Sequence, residues 1–327
     1  MTTKMPSSPS EPSATVKPIQ NLLICGTGAV GGAYAKKIAD HDPTCLRILA
    51  RGNRKHRYKQ DGLIINDQRY DFNLADPEAP EPQAADLILV AVKDYGLTEA
   101  IQDMTPFVGP QTLILSLMNG ITSEARLAEA FGHEKVLYGL VMSIDGARDQ
   151  NRIRFTQYGT ISFGYAINTE IKEEVQSVAA FFDKVGISYN IPENMQRELW
   201  YKFMVNVGIN QASAVVRGGF GAFQTIPEAH ALMRSAMWEL IRITEKNGIH
   251  LSEKDLENWD KVLMAMPPGS RPSMLNDLEN GRKTEVEMLS GAIMALGAQY
   301  NVPTPVNEAL YRIIKSAEAL TEALNGV

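Results

Sequence analysis

An α/β domain followed by an all-α domain is the fold class that this 327-residue sequence predicts. Three observations carry the prediction. Short apolar runs alternate with helical stretches between Asn21 and Phe131, the pattern of a doubly wound sheet. A glycine-rich turn at 26–31 joins the first apolar run to the first helix. Strand signals then stop near Glu193, and only long helical segments follow. The length is comfortable for two domains, and an apolar fraction of 44% is enough for sizeable cores.

The elements follow in chain order. Residues 1–18 are rich in Pro, Ser and Thr and lack an apolar stretch, so they read as a disordered tail rather than a secretory signal. The ordered chain is expected from Ile19. Asn21–Cys25 reads as a strand and Ala29–Asp40 as a helix; Leu46–Ala50 is the second strand, with Arg51 directly after it. Leu63–Asn66 and Arg69–Leu74 read as a hairpin closed around Asp67-Gln68. Asp86–Val92 is continuously apolar, as a parallel strand buried on both faces should be, and Thr112–Leu117 repeats the pattern. Helices are expected at Leu97–Met104 and Ser123–Phe131. Lys135–Met142, Ile153–Tyr158 and Thr160–Gly164 read as an antiparallel extension, completed by a helix at Ile171–Val185 and a strand at Ile187–Asn190. This places a first domain at 19–190 and a helical one at 191–327. Helices are expected there near 193–216, 228–248, 253–265, 283–300 and 304–325, interrupted by the Pro/Gly-rich stretch Met266–Pro272.

Composition narrows the function. A net charge of −6 disfavours nucleic acid and anionic membranes as partners. No apolar run reaches the length of a membrane span. Two cysteines outside any CxxC pair, Cys25 and Cys45, point to a reducing, cytoplasmic compartment. The five histidines are scattered without metal-ligand spacing, so no metal is expected.

Gly26-Thr27-Gly28-Ala29-Val30-Gly31 fits GxGxxG. Gly26 permits the tight turn, Gly28 lets the backbone approach a diphosphate, and Gly31 lets helix and strand pack closely. The helix N-terminus offers free N–H groups and a positive dipole end. A bare GxGxxG is a weak signal; strand before and helix after make this one a dinucleotide-binding, Rossmann-type turn. The residue after the second strand selects the cofactor. It is Arg51, followed by Gly52-Asn53-Arg54-Lys55, and a guanidinium suits the 2′-phosphate of NADPH or NADP. The alternative is a solvated basic loop. Lys93 and Asn119 follow two later strands, where residues face the ligand crevice of such a sheet. A surface lysine and a plain turn are their bland readings.

The segment Glu198–Val216 has no charged residue between Lys202 and Arg217. Lys202, Asn206 and Asn210 recur at intervals of four, which lines them along one helix face. One ammonium and two amides on an otherwise apolar helix suggest a polar cleft. Lys202 could then serve as a general acid, protonating a carbonyl oxygen as hydride reaches carbon. Asn206 and Asn210 could orient a substrate, Glu285 could pair with Lys202 or bind the cofactor ribose, and Ser273 could donate to a carboxylate. Taken alone, Glu285 and Ser273 read as surface and capping residues.

At these residues the chain resembles the ketopantoate reductases. The resemblance runs from Ile19 to the C-terminus and rests on GTGAVG at 26–31, Arg51, VK at 92–93, NG at 119–120, RELWYKFMVN at 197–206 with Asn210, SMLNDLENGRKTEVEMLSG at 273–291, and VPTPVN at 302–307. It implies a 6-phosphogluconate-dehydrogenase-like arrangement of a Rossmann-type domain and an all-α domain, and NADPH-dependent reduction of 2-dehydropantoate to pantoate in pantothenate biosynthesis. It further implies Lys202 as general acid; Asn206, Asn210 and Ser273 as substrate-binding; and Glu285 as a cofactor residue. Lys93 and Asn119 match cleft-lining positions, Asn119 toward both cofactor and substrate. Two stretches depart from the family: AVVRGGFGAF at 214–223, containing Arg217, and Ser143-Ile144-Asp145. Both bear on the substrate more than on the chemistry. A reductase of another 2-keto acid and a non-catalytic NADP-binding sensor are the alternatives, and the helical domain is compatible with a homodimer.

Overall fold

The computed structural model describes residues 17–325. Most of the expected tail, residues 1–16, lies outside them. The described residues begin two before Ile19. Lys17 Nζ meets Asp86 Oδ1 at 2.9 Å, and the other oxygen of Asp86 accepts from the backbone of Gln20 and Asn21, each at 3.0 Å.

The elements run β1 (Leu22–Cys25), α1 (Ala29–His41), β2 (Leu46–Leu49), α2 (Gly52–Asp61), β3 (Leu63–Ile65), β4 (Gln68–Tyr70), β5 (Asn73–Ala75), β6 (Ala85–Val90), α3 (Leu97–Met104), β7 (Val108–Ser116), α4 (Ser123–Phe131) and β8 (Val136–Met142). Then come β9 (Ala147–Asp149), β10 (Arg152–Arg154), β11 (Thr160–Gly164), α5 (Glu173–Val185) and β12 (Tyr189–Asn190). The helical part comprises α6 (Met195–Val216), α7 (Phe220–Thr225), α8 (Pro227–Asn247), α9 (Glu253–Ala265), α10 (Ser273–Glu279), α11 (Ala292–Tyr300) and α12 (Pro305–Asn325). The chain divides into two compact units. One takes residues up to Val92, Thr98–Leu117 and Leu127–Glu193; the other takes Lys93–Leu97, Met118–Arg126 and the chain from Asn194.

In the first unit an eight-stranded sheet has the order β12-β11-β8-β7-β6-β1-β2-β5. From β5 to β8 all pairings are parallel; β11 then joins β8 antiparallel. β1 and β6 are nearly all buried because both sheet faces are covered, which is why their sequences lack alternation. The strand order reverses beside β1, and doubly wound sheets bind ligands at the carboxyl ends of the strands flanking such a point.

Three expectations for this unit are corrected. The second arm of the hairpin is two strands: Gln68–Tyr70 turns back on β3, while Asn73–Ala75 leaves to pair in parallel with β2. The strand expected over Ile153–Tyr158 is confined to Arg152–Arg154, in a separate four-stranded sheet of order β4-β3-β10-β9. In the main sheet the extension is antiparallel only where β11 meets β8, since β8 runs parallel to β7 and β12 parallel to β11. The basic stretch after Arg51 forms a helix, α2, that apolar periodicity could not reveal. Tyr58 is its one buried residue.

In the second unit α6 is central, and fourteen of its residues are buried. Asn194 caps its start, its side chain accepting from Arg197 N at 2.8 Å. Gly208 lets α8 come close: a Cβ there would lie 2.3 Å from Met237 Cε. Two short helices were not expected. α7 lies in the glycine-rich stretch, and α10 follows the proline break. The expected helix at 283–300 begins instead as a π turn at Glu287–Gly291 that continues into α11. A buried polar network pins this region. Gln211 Oε1 accepts from Ser290 N at 3.1 Å, and Glu239 caps the start of α12 by accepting from Val306 N (2.7 Å) and Asn307 N (2.9 Å). No described helix is long and apolar enough to cross a membrane.

Candidate active site

The glycine loop occupies the first unit. Gly26 adopts φ +98°, and a Cβ on it would fall 2.6 Å from the Ala91 carbonyl oxygen. A Cβ on Gly31 would fall 1.9 Å from the Gly26 carbonyl oxygen, so the loop closes only with glycine at both positions. Gly28 differs. Its nearest neighbour would be Ala91 O at 3.9 Å, so protein packing does not demand glycine there. The space beside Gly28 is what a diphosphate needs for close backbone approach. α1 starts at Ala29 without a side-chain cap, which leaves the first N–H groups of Ala29, Val30 and Gly31 to a ligand. These residues fit a dinucleotide.

Sequence reasoning missed the clamp that shapes this loop. Arg148, on β9, donates through Nη1 to the Thr27 carbonyl (2.5 Å) and hydroxyl (3.0 Å), and through Nη2 to Tyr58 OH (3.0 Å). Tyr58 OH also lies 2.6 Å from Thr27 Oγ1. No local pattern marks an arginine so far along the chain. Nearby, Gly146 lets the chain just before β9 lie against the start of α1, a Cβ there falling 2.9 Å from Ala29 Cβ. Asp145, one of the departures from the family pattern, anchors a turn by accepting from Thr156 N (2.8 Å) and Gln157 N (2.9 Å).

Arg51 is the N-cap residue of α2, at the end of β2. The sequence suggested a cation suited to a 2′-phosphate or a solvated basic loop. Instead its Nη2 lies 3.0 Å from Glu99 Oε1 and its Nε 3.1 Å from Asp103 Oδ1.

The other predicted residues converge within the second unit. Asn119, Asn206, Asn210, Ser273, Asp277 and Glu285, with Met274, Met288 and Leu289, line a small polar recess. Lys93 Nζ bonds Glu285 Oε2 at 2.9 Å and Asp277 Oδ2 at 3.2 Å. Asn119 Nδ2 donates to the same Glu285 oxygen at 3.4 Å, and Asn206 Nδ2 reaches Asn119 Oδ1 at 3.5 Å. Ser273 Oγ stands 3.5 Å from Asn210 Oδ1. Glu285 thus bonds Lys93 directly and acts on Lys202 through its charge. Asp277 is a site residue that sequence reasoning passed over, although it lies within the quoted 273–291 block. Arg282 Nε holds its second oxygen at 2.9 Å.

The two lysines are driven apart in acidity. For Lys202, one turn before Asn206 on α6, burial is the dominant effect and pushes the pKa from 10.5 down to about 8, against the attraction of Glu285 and Glu124. Glu124 is a buried carboxylate on the first turn of α4. For Lys93, burial is outweighed by the carboxylates of Glu285 and Asp277, and the pKa rises. Near neutral pH Lys93 is therefore a fixed cation, whereas Lys202 is poised to give up a proton. Environments that separate two titratable groups in this way mark acid–base assignments.

Arg217 is exposed at the C-cap of α6 with φ +57°. The glycines after it have a packing role: Phe220 N donates to Ser270 O and Gly221 N to Pro268 O, each at 3.0 Å, which docks α7 on the proline-rich loop before Ser273.

Known proteins similar to this chain cover most of its length. Residues 22–168 match the family described as ketopantoate reductase PanE/ApbA, and residues 194–318 match its C-terminal part. A 2-dehydropantoate 2-reductase of Aquifex aeolicus is 28% identical over 307 residues, covering 92% of this chain and 97% of its own. The crystal structure of the 2-dehydropantoate 2-reductase from Methylococcus capsulatus is 27% identical with a TM-score of 0.77, covering 92% of this chain and 97% of its own. A ternary structure of D-mandelate dehydrogenase with NADH and anilino(oxo)acetate is similar in fold at TM-score 0.84 and 18% identity, covering 92% and 99%.

Proposed function

We infer the reaction from one premise: the chain belongs to the ketopantoate reductase family and is an oxidoreductase acting on a CH–OH group. The proposed reaction is the NADPH-dependent reduction of 2-dehydropantoate to (R)-pantoate, a step of pantothenate biosynthesis, in the cytoplasm. Residues 19–190 form the proposed coenzyme-binding domain and 191–327 the substrate-binding and catalytic one. The observation that supports the reading most is Lys202, its pKa drawn down to about 8, on the same helix face as the amides of a polar recess.

Each residue has a task in this reading. The loop Gly26, Thr27, Gly28, Ala29, Val30 and Gly31 takes the coenzyme diphosphate on its N–H groups, and Arg51 takes the 2′-phosphate. Lys93, Asn119 and Glu285 form a bonded set that orients the coenzyme, Asn119 also reaching the substrate. Bound NADPH supplies the hydride to the keto carbon. Asn206, Asn210 and Ser273 hold the substrate by its polar groups. Lys202 donates a hydrogen bond to the keto oxygen, stabilises the negative charge growing there, and transfers its proton to leave the alcohol. The neutral amine then recovers a proton from water.

NADPH oxidation, followed by nicotinamide absorbance with 2-dehydropantoate and with other 2-keto acids, tests this. The expected result is turnover of 2-dehydropantoate that falls about a hundredfold to ten-thousandfold in Lys202→Ala. A second reading, another 2-keto acid, rests on Arg217, which departs from the family pattern at the C-cap of the helix that carries the stripe. Selective turnover of such an acid would move the substrate and keep the chemistry. NADPH binding with no turnover of any acid would refute both readings and leave a sensor.

A further inference from the structure

In a doubly wound nucleotide fold, an acid at the end of the second strand accepts from the ribose 2′-hydroxyl of NAD, and a cation nearby accommodates the 2′-phosphate of NADP. Here β2 is followed by Arg51 and no acid. The acids arrive from a different element. α3 brings Glu99 to 3.0 Å and Asp103 to 3.1 Å from the Arg51 guanidinium. They are not equivalent: the side chain of Glu99 is 57% exposed, that of Asp103 only 11%. Asp103 is buried, as are Ala100 and Met104 of the same helix, whereas Glu99 faces water.

A second observation ties these charges to the coenzyme loop. The thiol of Cys25, the residue before Gly26, is raised mainly by burial and further by the charges of Asp103 and Glu99, while Arg54 opposes them. The carboxylates of Glu99 and Asp103 therefore oppose the guanidinium groups of Arg51 and Arg54 near the end of β1, and Glu78 adds its negative charge toward Arg51 and Asp103. A 2′-phosphate entering there must compete with both carboxylates for Arg51. A 2′-hydroxyl need not compete, because it can donate to a carboxylate that Arg51 already orients.

We propose that Glu99 and Asp103 are specificity-determining residues that make the ribose subsite accept NADH as well as NADPH, so that coenzyme choice is set from α3 as much as by Arg51. The proposal rests on the coenzyme reading of the glycine loop given above. Removing a carboxylate frees Arg51 for phosphate and takes an acceptor from the hydroxyl, so the two affinities move in opposite directions.

The test is direct binding, without substrate or turnover. NADH and NADPH are titrated separately into the wild-type protein, Glu99→Gln, Asp103→Asn and Arg51→Gln, with nicotinamide fluorescence giving each Kd. The wild type is expected to bind the two coenzymes within about tenfold of each other. In Glu99→Gln the ratio of Kd for NADH to Kd for NADPH should rise roughly three- to tenfold, and in Arg51→Gln it should fall. Asp103→Asn should act as Glu99→Gln does; if it fails to fold, the exposed Glu99 still decides the matter. A ratio unchanged in Glu99→Gln, or wild-type NADH binding weaker by more than about a hundredfold, would overturn the proposal alone. Binding of neither coenzyme to the wild type would overturn the coenzyme reading and the proposal with it.

Discussion

Lys202→Met should make the protein more stable while it destroys the proposed activity. The folded protein holds the Lys202 pKa near 8 against an ordinary 10.5, so below pH 8 the fold carries a charged group that it disfavours. That difference corresponds to a cost of roughly 3 kcal/mol. Methionine has similar length and no charge to desolvate, and the lowered pKa already includes the attraction of Glu285 and Glu124, so the net gain is about 3 kcal/mol at most at neutral pH. The sign can be followed through pH. Between about pH 8 and 10.5 the folded wild type releases the proton while the unfolded chain still holds it, so wild-type stability rises with pH in that window. The methionine variant lacks this contribution. The stability gap should therefore be widest below pH 8 and closed above 10.5. Urea unfolding read by tryptophan fluorescence is a suitable assay, because Trp200, Trp238 and Trp259 all lie in the helical unit that contains Lys202. A variant no more stable than the wild type at neutral pH, or a gap that does not shrink as pH rises, would refute the reasoning.

Two further outcomes follow from the same geometry. If Lys202 donates the proton, kcat/KM for reduction should be flat below about pH 8 and fall about tenfold per pH unit above it, and the reverse oxidation should show the opposite limb. A pH–rate profile with no transition in that range would remove Lys202 from the acid's role. Gly28→Ala should leave the melting temperature near that of the wild type, since a Cβ there meets nothing closer than 3.9 Å, yet weaken coenzyme binding. Gly31→Ala should unfold the loop, because its Cβ would lie 1.9 Å from the Gly26 carbonyl oxygen. Equal effects of the two substitutions on thermal stability would contradict the distinction.

Much of the fold could be read from the sequence because the informative signals are local. The run before Gly26, the continuous apolar strand ending at Val90 and the long α6 each announce themselves by pattern. Three features did not. α2 has a single buried residue, Tyr58, so no periodic face betrays it. The chain after Tyr70 looked like one strand because its residues suit a strand throughout, while the switch of partner from β3 to β2 is set by neighbours remote in sequence. The π turn at Glu287–Gly291 depends on Gln211 bonding Ser290, a contact across 79 positions. The site divides in the same way. The four-residue spacing of Lys202, Asn206 and Asn210 was visible, as was the glycine loop. That Glu285 bonds Lys93, that Asp277 shares that lysine, and that Arg51 faces two acids are consequences of tertiary structure and leave no mark on spacing.

The clamp of Arg148 on Thr27 bears on how the protein is made. The glycine loop is translated before the side chain that fixes its carbonyl, which follows 121 residues later. Until β9 has docked, the nascent loop lacks its restraint and samples other shapes, and a contact of this range is slow to form because a long loop must close first. Capture of a dinucleotide during synthesis would therefore report that translation has passed Arg148 and that β9 is in place.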